Sequence, residues 1–133
     1  MGERELALDT SVIVELERGN QHCMNLIKKH LTEKSSPLVP FFSYFEFVAG
    51  MEGRPANRKA QALSFLNSMR FVPPTKRTAF HSLDLKRKYE STGEMFSIPD
   101  LMNASQAIEN NLAFMTSDKQ FLKIKELNTI LVP

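Results

Sequence analysis

At 133 residues the chain is long enough to bury one core and too short for two comfortable ones, so a single domain over residues 1–133 is expected. Apolar residues at 42% and charged residues at 24% exclude collagen-like and broadly disordered classes, and no run of about 18 apolar residues offers a membrane span. The formal net charge of +2 hides a division: from Arg54 to Lys88 nine basic residues accompany one acid, Asp84, while the rest of the chain carries eight basic and fourteen acidic groups.

The opening stretch "MGERELALDTSVIVELERG" has acids where a secretory signal carries its basic region, and Asp9 splits its apolar run. The cytoplasm is therefore the expected location. Within this stretch "LAL" (6–8) reads as a buried strand, and Thr10 or Ser11 is expected to cap a helix running to Gly19. A second helix is predicted over "NQHCMNLIKKHLTEK" (20–34), with Asn20 as cap and Cys23, Leu26, Ile27 and Leu31 at helical spacing, ended by "SSP". Cys23 is the only cysteine, which excludes an internal disulfide and multi-cysteine zinc patterns, and His22, His30 and His81 lack the spacing of zinc ligands.

"LVPFF" (38–42) reads as a short strand with Pro40 at an end or an edge. The helix after it, "SYFEFVAGMEG" (43–53), shows Ser43 and Glu46 at the spacing of a capping box, and Phe42, Phe45 and Phe47 are expected in the core rather than at a base-stacking surface. Further helices are predicted over 55–69, 75–93 and 97–111, the last with Ser97 and Pro99 before Asp100 and with Leu101, Ala104 and Ile108 inward. "RFVPP", "LAFMT" and "TILV" are extended, and "SDKQFLKI" is a turn into a short helix. Strands alternating with helices, without hairpin signals, imply an α/β three-layer sandwich around a mostly parallel sheet of about five strands.

Four acids, Asp9, Glu46, Asp100 and Asp118, fall where helices begin. Each has a local explanation, since an acid at a helix N-terminus satisfies free N–H groups and complements the dipole. Together they have another, because the carboxyl ends of parallel strands open onto one edge where ligands bind. Two carboxylates about 4 Å apart repel by about 4 kcal/mol at an effective dielectric of 20, so a convergent set requires a cation or shifted pKa values. Oxygen-only donors point to Mg²⁺ or Mn²⁺, and such a site suits hydrolysis of phosphodiester bonds. The basic residues Arg54, Arg58, Lys59, Arg77, Lys86, Arg87 and Lys88 would then hold the nucleic-acid backbone; two solvated helix faces explain them equally well.

"LALDTSVIVEL", "SYFEFVAGM" and "IPDLMNASQAIENNLAFMTSDKQF" resemble, in that order and spacing, the acid-bearing elements of the PIN domain family, particularly the small ribonucleases of VapC type. The resemblance spans essentially the whole chain. It implies a parallel sheet in the order 3-2-1-4-5 and an endoribonuclease whose metal-site acids are Asp9, Glu46, Asp100 and Asp118. Thr10 and Ser11 would assist the first acid and Thr116 would orient the last, while Asn103, one turn after Asp100, either meets the site or is solvated. Gln120 stands where relatives commonly have a further acid. The partners implied are RNA and a cognate antitoxin, and a homodimer is a further expectation. Two other readings stay open: a non-catalytic RNA-binding or assembly module on the same fold, and a phosphoacceptor domain. The phosphoacceptor reading lacks the early acidic pair and the late lysine it requires.

Overall fold

The computed structural model describes residues 5–31 and 35–133. Five strands, β1 (Leu6–Leu8), β2 (Leu38–Pro40), β3 (Arg70–Val72), β4 (Ala113–Thr116) and β5 (Asn128–Leu131), form one sheet in the order β3-β2-β1-β4-β5, with every pair parallel. Among the described residues the six helices are α1 (Thr10–Glu17), α2 (Gln21–His30), α3 (Phe41–Ala49), α4 (Ala56–Asn67), α5 (Lys76–Glu90) and α6 (Ile98–Glu109), and a 3-10 turn covers Lys119–Lys123. The expected fold class and strand order are both present.

Alternation along the strands divides the core in two. Leu6, Leu8, Ala113 and Met115 face one side with Val12, Ile13, Ile27, Phe47 and Leu66 from α1 to α4. Ala7 and Phe114 face the other, with Leu85, Leu101, Ala104, Ala107 and Phe121. The side-chain period of two in a strand forces this partition once helices cover both faces. Cys23 is buried in the first cluster, as a small apolar residue would be.

Several boundaries differ from the expectations, the ends of α3 at Ala49 and of α5 at Glu90 among them; three of the differences have a cause or consequence in the structure. Asp9, not Thr10 or Ser11, is the N-cap of α1. Helix α2 ends at His30, where Leu31 turns extended; the predicted continuation through Thr32, Glu33 and Lys34 lies outside the described residues. Strand β2 stops at Pro40, so Phe41 and Phe42 are already helical and the Ser43–Glu46 capping box does not form. The reason for the last lies 65 residues away: the Gln106 side chain accepts a hydrogen bond from the Phe41 N–H at 3.0 Å and donates one to the Val72 carbonyl at 2.7 Å. A long-range amide thus caps α3 where Pro40 supplies no side-chain cap, and the same amide closes the end of β3.

Gln106→Ala leaves that N–H and that carbonyl without partners in a part-buried setting. The expected loss is about 2–3 kcal/mol of unfolding free energy, read by urea denaturation; a loss below about 0.5 kcal/mol would refute the bridging role.

Candidate metal centre

Strand β1 delivers Asp9 and β4 delivers Thr116 to the same level, because Leu8 pairs with Met115 and the Asp9 N–H continues the ladder to the Met115 carbonyl at 2.9 Å. Asp9 Oδ1 accepts from the Thr10 N–H at 2.9 Å, and Oδ2 accepts from the Thr116 hydroxyl at 2.6 Å. Thr116 is fully buried, and its Oγ1 also accepts from the Asp118 N–H at 3.0 Å. The Thr116 hydroxyl is thus bonded to the Asp118 backbone and to the Asp9 carboxylate at once. Asp118 Oδ1 caps the 3-10 turn by accepting from the Gln120 N–H at 3.0 Å. Ser11 Oγ, 3.4 Å from the Ser117 N–H, adds a second tie between the loops after β1 and β4.

Asp100 lies in the first turn of α6, where its N–H donates to the Ser97 hydroxyl at 3.2 Å. Glu46 stands in the middle of α3 rather than at its start. Burial is the chief cause that lifts the Asp9 carboxyl above its ordinary value; the bonds from Thr116, Thr10 and Ser11 oppose it and the Asp118 charge adds to it. Asp100 is likewise raised, first by burial and then by Asp9 and Asp118, against the bond with Ser97. Glu46 is raised by burial and by the charges of Asp9 and Asp100. The four acids therefore share one electrostatic field. They do not yet chelate: among the described residues no three Asp, Glu, His or Cys side chains close around an ion-sized point.

Asn103 is buried rather than solvated. Its amide donates to Ser43 Oγ at 3.2 Å, joining α6 one turn after Asp100 to α3 one turn before Glu46. Ser43 reads in the sequence as a capping residue, and Gln106 carries no expectation there. A polar side chain within the inward stripe of α6 is the one signal the sequence offers for both Asn103 and Gln106. The donor chemistry fits a hard divalent cation. All four acids offer oxygen, none makes an ion pair among the described residues, and the buried Thr10 Oγ1 and Asn103 Oδ1 have no hydrogen-bond partner.

The basic residues fall into two groups. Arg58 and Lys59 stand on α4, whose Ala62 and Leu66 belong to the first core cluster; Arg77, Lys86, Arg87 and Lys88 stand on α5, whose Leu85 and Tyr89 belong to the second. The sheet separates them. Arg54 is held by a two-pronged pair with Glu17 at 2.9 and 3.1 Å, Lys86 by Glu90 at 2.8 Å and Lys88 by Glu126 at 2.8 Å. Arg58, Lys59, Arg77 and Arg87 make no ion pair among the described residues.

Two measurements test this electrostatic picture. A carboxylate whose folded pKa is raised contributes stability that is present at low pH and lost as pH rises through the folded value, so these acids cost stability at neutral pH. Asp100→Asn should raise the melting temperature at pH 7, with the gain disappearing below pH ~4, the ordinary carboxylate value; a lowered melting temperature at pH 7 would contradict it. Thr116→Val keeps the side-chain shape and removes a bond that favours the ionised form, so the Asp9 titration followed by carboxyl NMR should move further upward.

Residues 6–127 match the model of the PIN domain. No curated protein sequence matches the chain. Among solved structures, the chain is similar to one in VapBC2 from Rickettsia felis bound to a promoter DNA fragment, at 19% identity and TM-score 0.83 over 95% of this chain and 97% of that one. It is similar to a chain of VapBC-1 from nontypeable Haemophilus influenzae, at 19% identity and TM-score 0.80 over 95% and 96% of the two chains. A chain of VapBC-5 from Mycobacterium tuberculosis, a member of a family of toxin-antitoxin systems, matches at 23% identity and TM-score 0.72 over 97% and 99%. At such identities the likeness carries the fold, and the family model carries the membership: the chain belongs to the PIN domain family, whose members are generally nucleases.

Proposed function

We propose that this protein is a Mg²⁺- or Mn²⁺-dependent endoribonuclease and the toxin of a toxin–antitoxin pair, acting in the cytoplasm on RNA and restrained by an antitoxin protein. The observation that carries the reading is the mutual influence of Asp9, Glu46, Asp100 and Asp118 at the carboxyl edge of the sheet, with no cation of the chain paired to any of them among the described residues. The family membership and the fold shared with chains of VapBC complexes support it.

Asp9, Glu46, Asp100 and Asp118 would hold the cation, which when bound lowers the pKa of an attacking water and offsets charge on the leaving oxygen. Thr116 and the Thr10 N–H fix the two oxygens of the Asp9 carboxylate. Asn103 and Ser43 hold α3 against α6 and with it the spacing of Glu46 and Asp100. Protons compete for the same oxygens, and because burial raises Asp9, Glu46 and Asp100 that competition begins at a higher pH than it would at exposed carboxyls. Arg58 and Lys59 on α4, or Arg77 and Arg87 on α5, hold the phosphate backbone.

RNA incubated with the protein and Mg²⁺ or Mn²⁺ should be cleaved, and Asp9→Asn should cut that rate by at least about 100-fold. The same cation should raise the melting temperature of the wild-type protein and of Asp9→Asn to a smaller extent. Equal cleavage by both proteins defeats the assignment. The second reading, a non-catalytic RNA-binding module, draws on the absence of a closed three-acid cluster among the described residues and on Gln120. It predicts salt-sensitive RNA binding with no metal-dependent turnover.

A further inference from the structure

Two bonds set α3 and α6 side by side in opposite directions. The Phe41 N–H meets the Gln106 side chain at 3.0 Å, and Ser43 Oγ meets the Asn103 side chain at 3.2 Å. Two residues forward along α3 thus correspond to three residues back along α6. Three further residues on each helix, close to one turn, reach Glu46 and Asp100. The two acids are therefore the next pair on this ladder, and the Asp100 charge, after burial and Asp9, is among the causes that raise the Glu46 carboxyl. Asn103 and Ser43 form the rung directly beside them.

An asparagine on that rung is costly. Asn103 is 1% exposed and stands between Leu101 and Ala104, both buried. One end of its amide donates to Ser43, while Oδ1 has no hydrogen-bond partner among the described residues. A buried acceptor left unsatisfied opposes folding, and a leucine of nearly the same volume would fill the position without that cost. The neighbouring rungs do not supply the missing donor. Gln106 directs its Nε2 to the Val72 carbonyl and its Oε1 to the Phe41 N–H, and ionised carboxylates at Glu46 and Asp100 only accept. Water carried by a divalent cation is a donor of the required kind, since the cation polarises its O–H bonds and the acids draw the cation to this end of the ladder.

We propose that Asn103 is an outer binding group of the metal centre, its Oδ1 accepting a hydrogen bond from the hydration shell of the divalent cation held by Glu46 and Asp100. This rests on the metal-dependent nuclease reading and adds to it a neutral oxygen outside the four acids. Ser43 and Asn103 then divide in role. Both join α3 to α6, and only Asn103 brings an unpartnered oxygen to the cation.

Mn²⁺ binding, read by the loss of the free-ion EPR signal in the absence of RNA, separates the two roles. Asn103→Leu should weaken Mn²⁺ binding about 10- to 100-fold, as loss of an outer partner does at other metal sites. Ser43→Ala breaks the same bond between the helices but keeps Oδ1, so its affinity should stay within about 3-fold of wild type. Asn103→Asp retains an oxygen that can accept from the Ser43 hydroxyl, and should bind Mn²⁺ at least as tightly as wild type. In the wild-type protein Mg²⁺ should shift the side-chain ¹³Cγ resonance of Asn103 and leave the Gln106 ¹³Cδ in place, a comparison that requires no variant to fold. Equal weakening by Ser43→Ala and Asn103→Leu, unchanged affinity in Asn103→Leu, weaker binding by Asn103→Asp, or an unmoved Asn103 resonance at saturating Mg²⁺ overturns the proposal. Mn²⁺ binding by wild type with a silent Asn103→Leu leaves the nuclease reading standing and removes this one. A wild-type protein that binds no Mn²⁺ removes the metal centre and this role with it.

Discussion

The Thr116 hydroxyl joins the two chain segments on which the acidic edge is built. It donates to Asp9 Oδ2 and accepts from the Asp118 N–H, so one fully buried oxygen sets the position of an acid after β1 and of another after β4. This is available only because those strands are neighbours, parallel and in a register that ends both at one level. The strand order therefore precedes the site: with β1 central, the loops after its two neighbours and the helices on both faces all reach one edge. A hydroxyl spending both its donor and its acceptor capacity in a dry setting has little freedom to rotate, and the carboxylate it holds is fixed with it.

That arrangement opposes stability. Burial lifts Asp9, Glu46 and Asp100, and neighbouring acids add to it, Asp118 on Asp9, Asp9 and Asp100 on Glu46, and Asp9 and Asp118 on Asp100, which means that ionising them is less favourable in the folded chain than in the unfolded one. The helix caps at Asp9, Ser97 and Asp118 offset part of the cost through bonds to free N–H groups. The two large apolar clusters on either side of the sheet supply the remainder. Local destabilisation tolerated at one edge of a well-packed sheet is the usual relation between a functional site and its scaffold.

Much of the fold was legible because it depends on local periodicity. The apolar triplet Leu6–Leu8, the run at 112–116 and the Ser97–Pro99 start of α6 each carry their signal within a few residues, and the alternation of strand and helix then leaves few topologies. What was hidden depends on residues far apart. Helix α3 begins at Phe41 because Gln106 caps it, and nothing near residue 41 says so. Asn103 reads as solvated until Ser43 is brought against it from 60 residues away. Phe45 reads as core because its neighbour Phe47 is, and only the placement of β3 at the sheet edge and of α4 beyond it leaves the ring in water. The basic middle segment shows its charge in the sequence and conceals its division between the two faces of the sheet.

The two buried amides of α6 have a consequence for how such a chain can vary. Asn103 is bonded to Ser43 of α3, and Gln106 to the first N–H of α3 and the last carbonyl of β3. Helix α6 is thus fastened crosswise to the sheet and to its neighbour by its own side chains, and its N-terminal acid inherits that placement whatever path the chain takes to arrive. Of the connection over residues 91–97, Ser97 caps α6 through the Asp100 N–H and Phe96 packs against Tyr89. The distance between Asp100 and Glu46 is thereby tied to two amide side chains facing inward from α6 rather than to the chain's route into the helix.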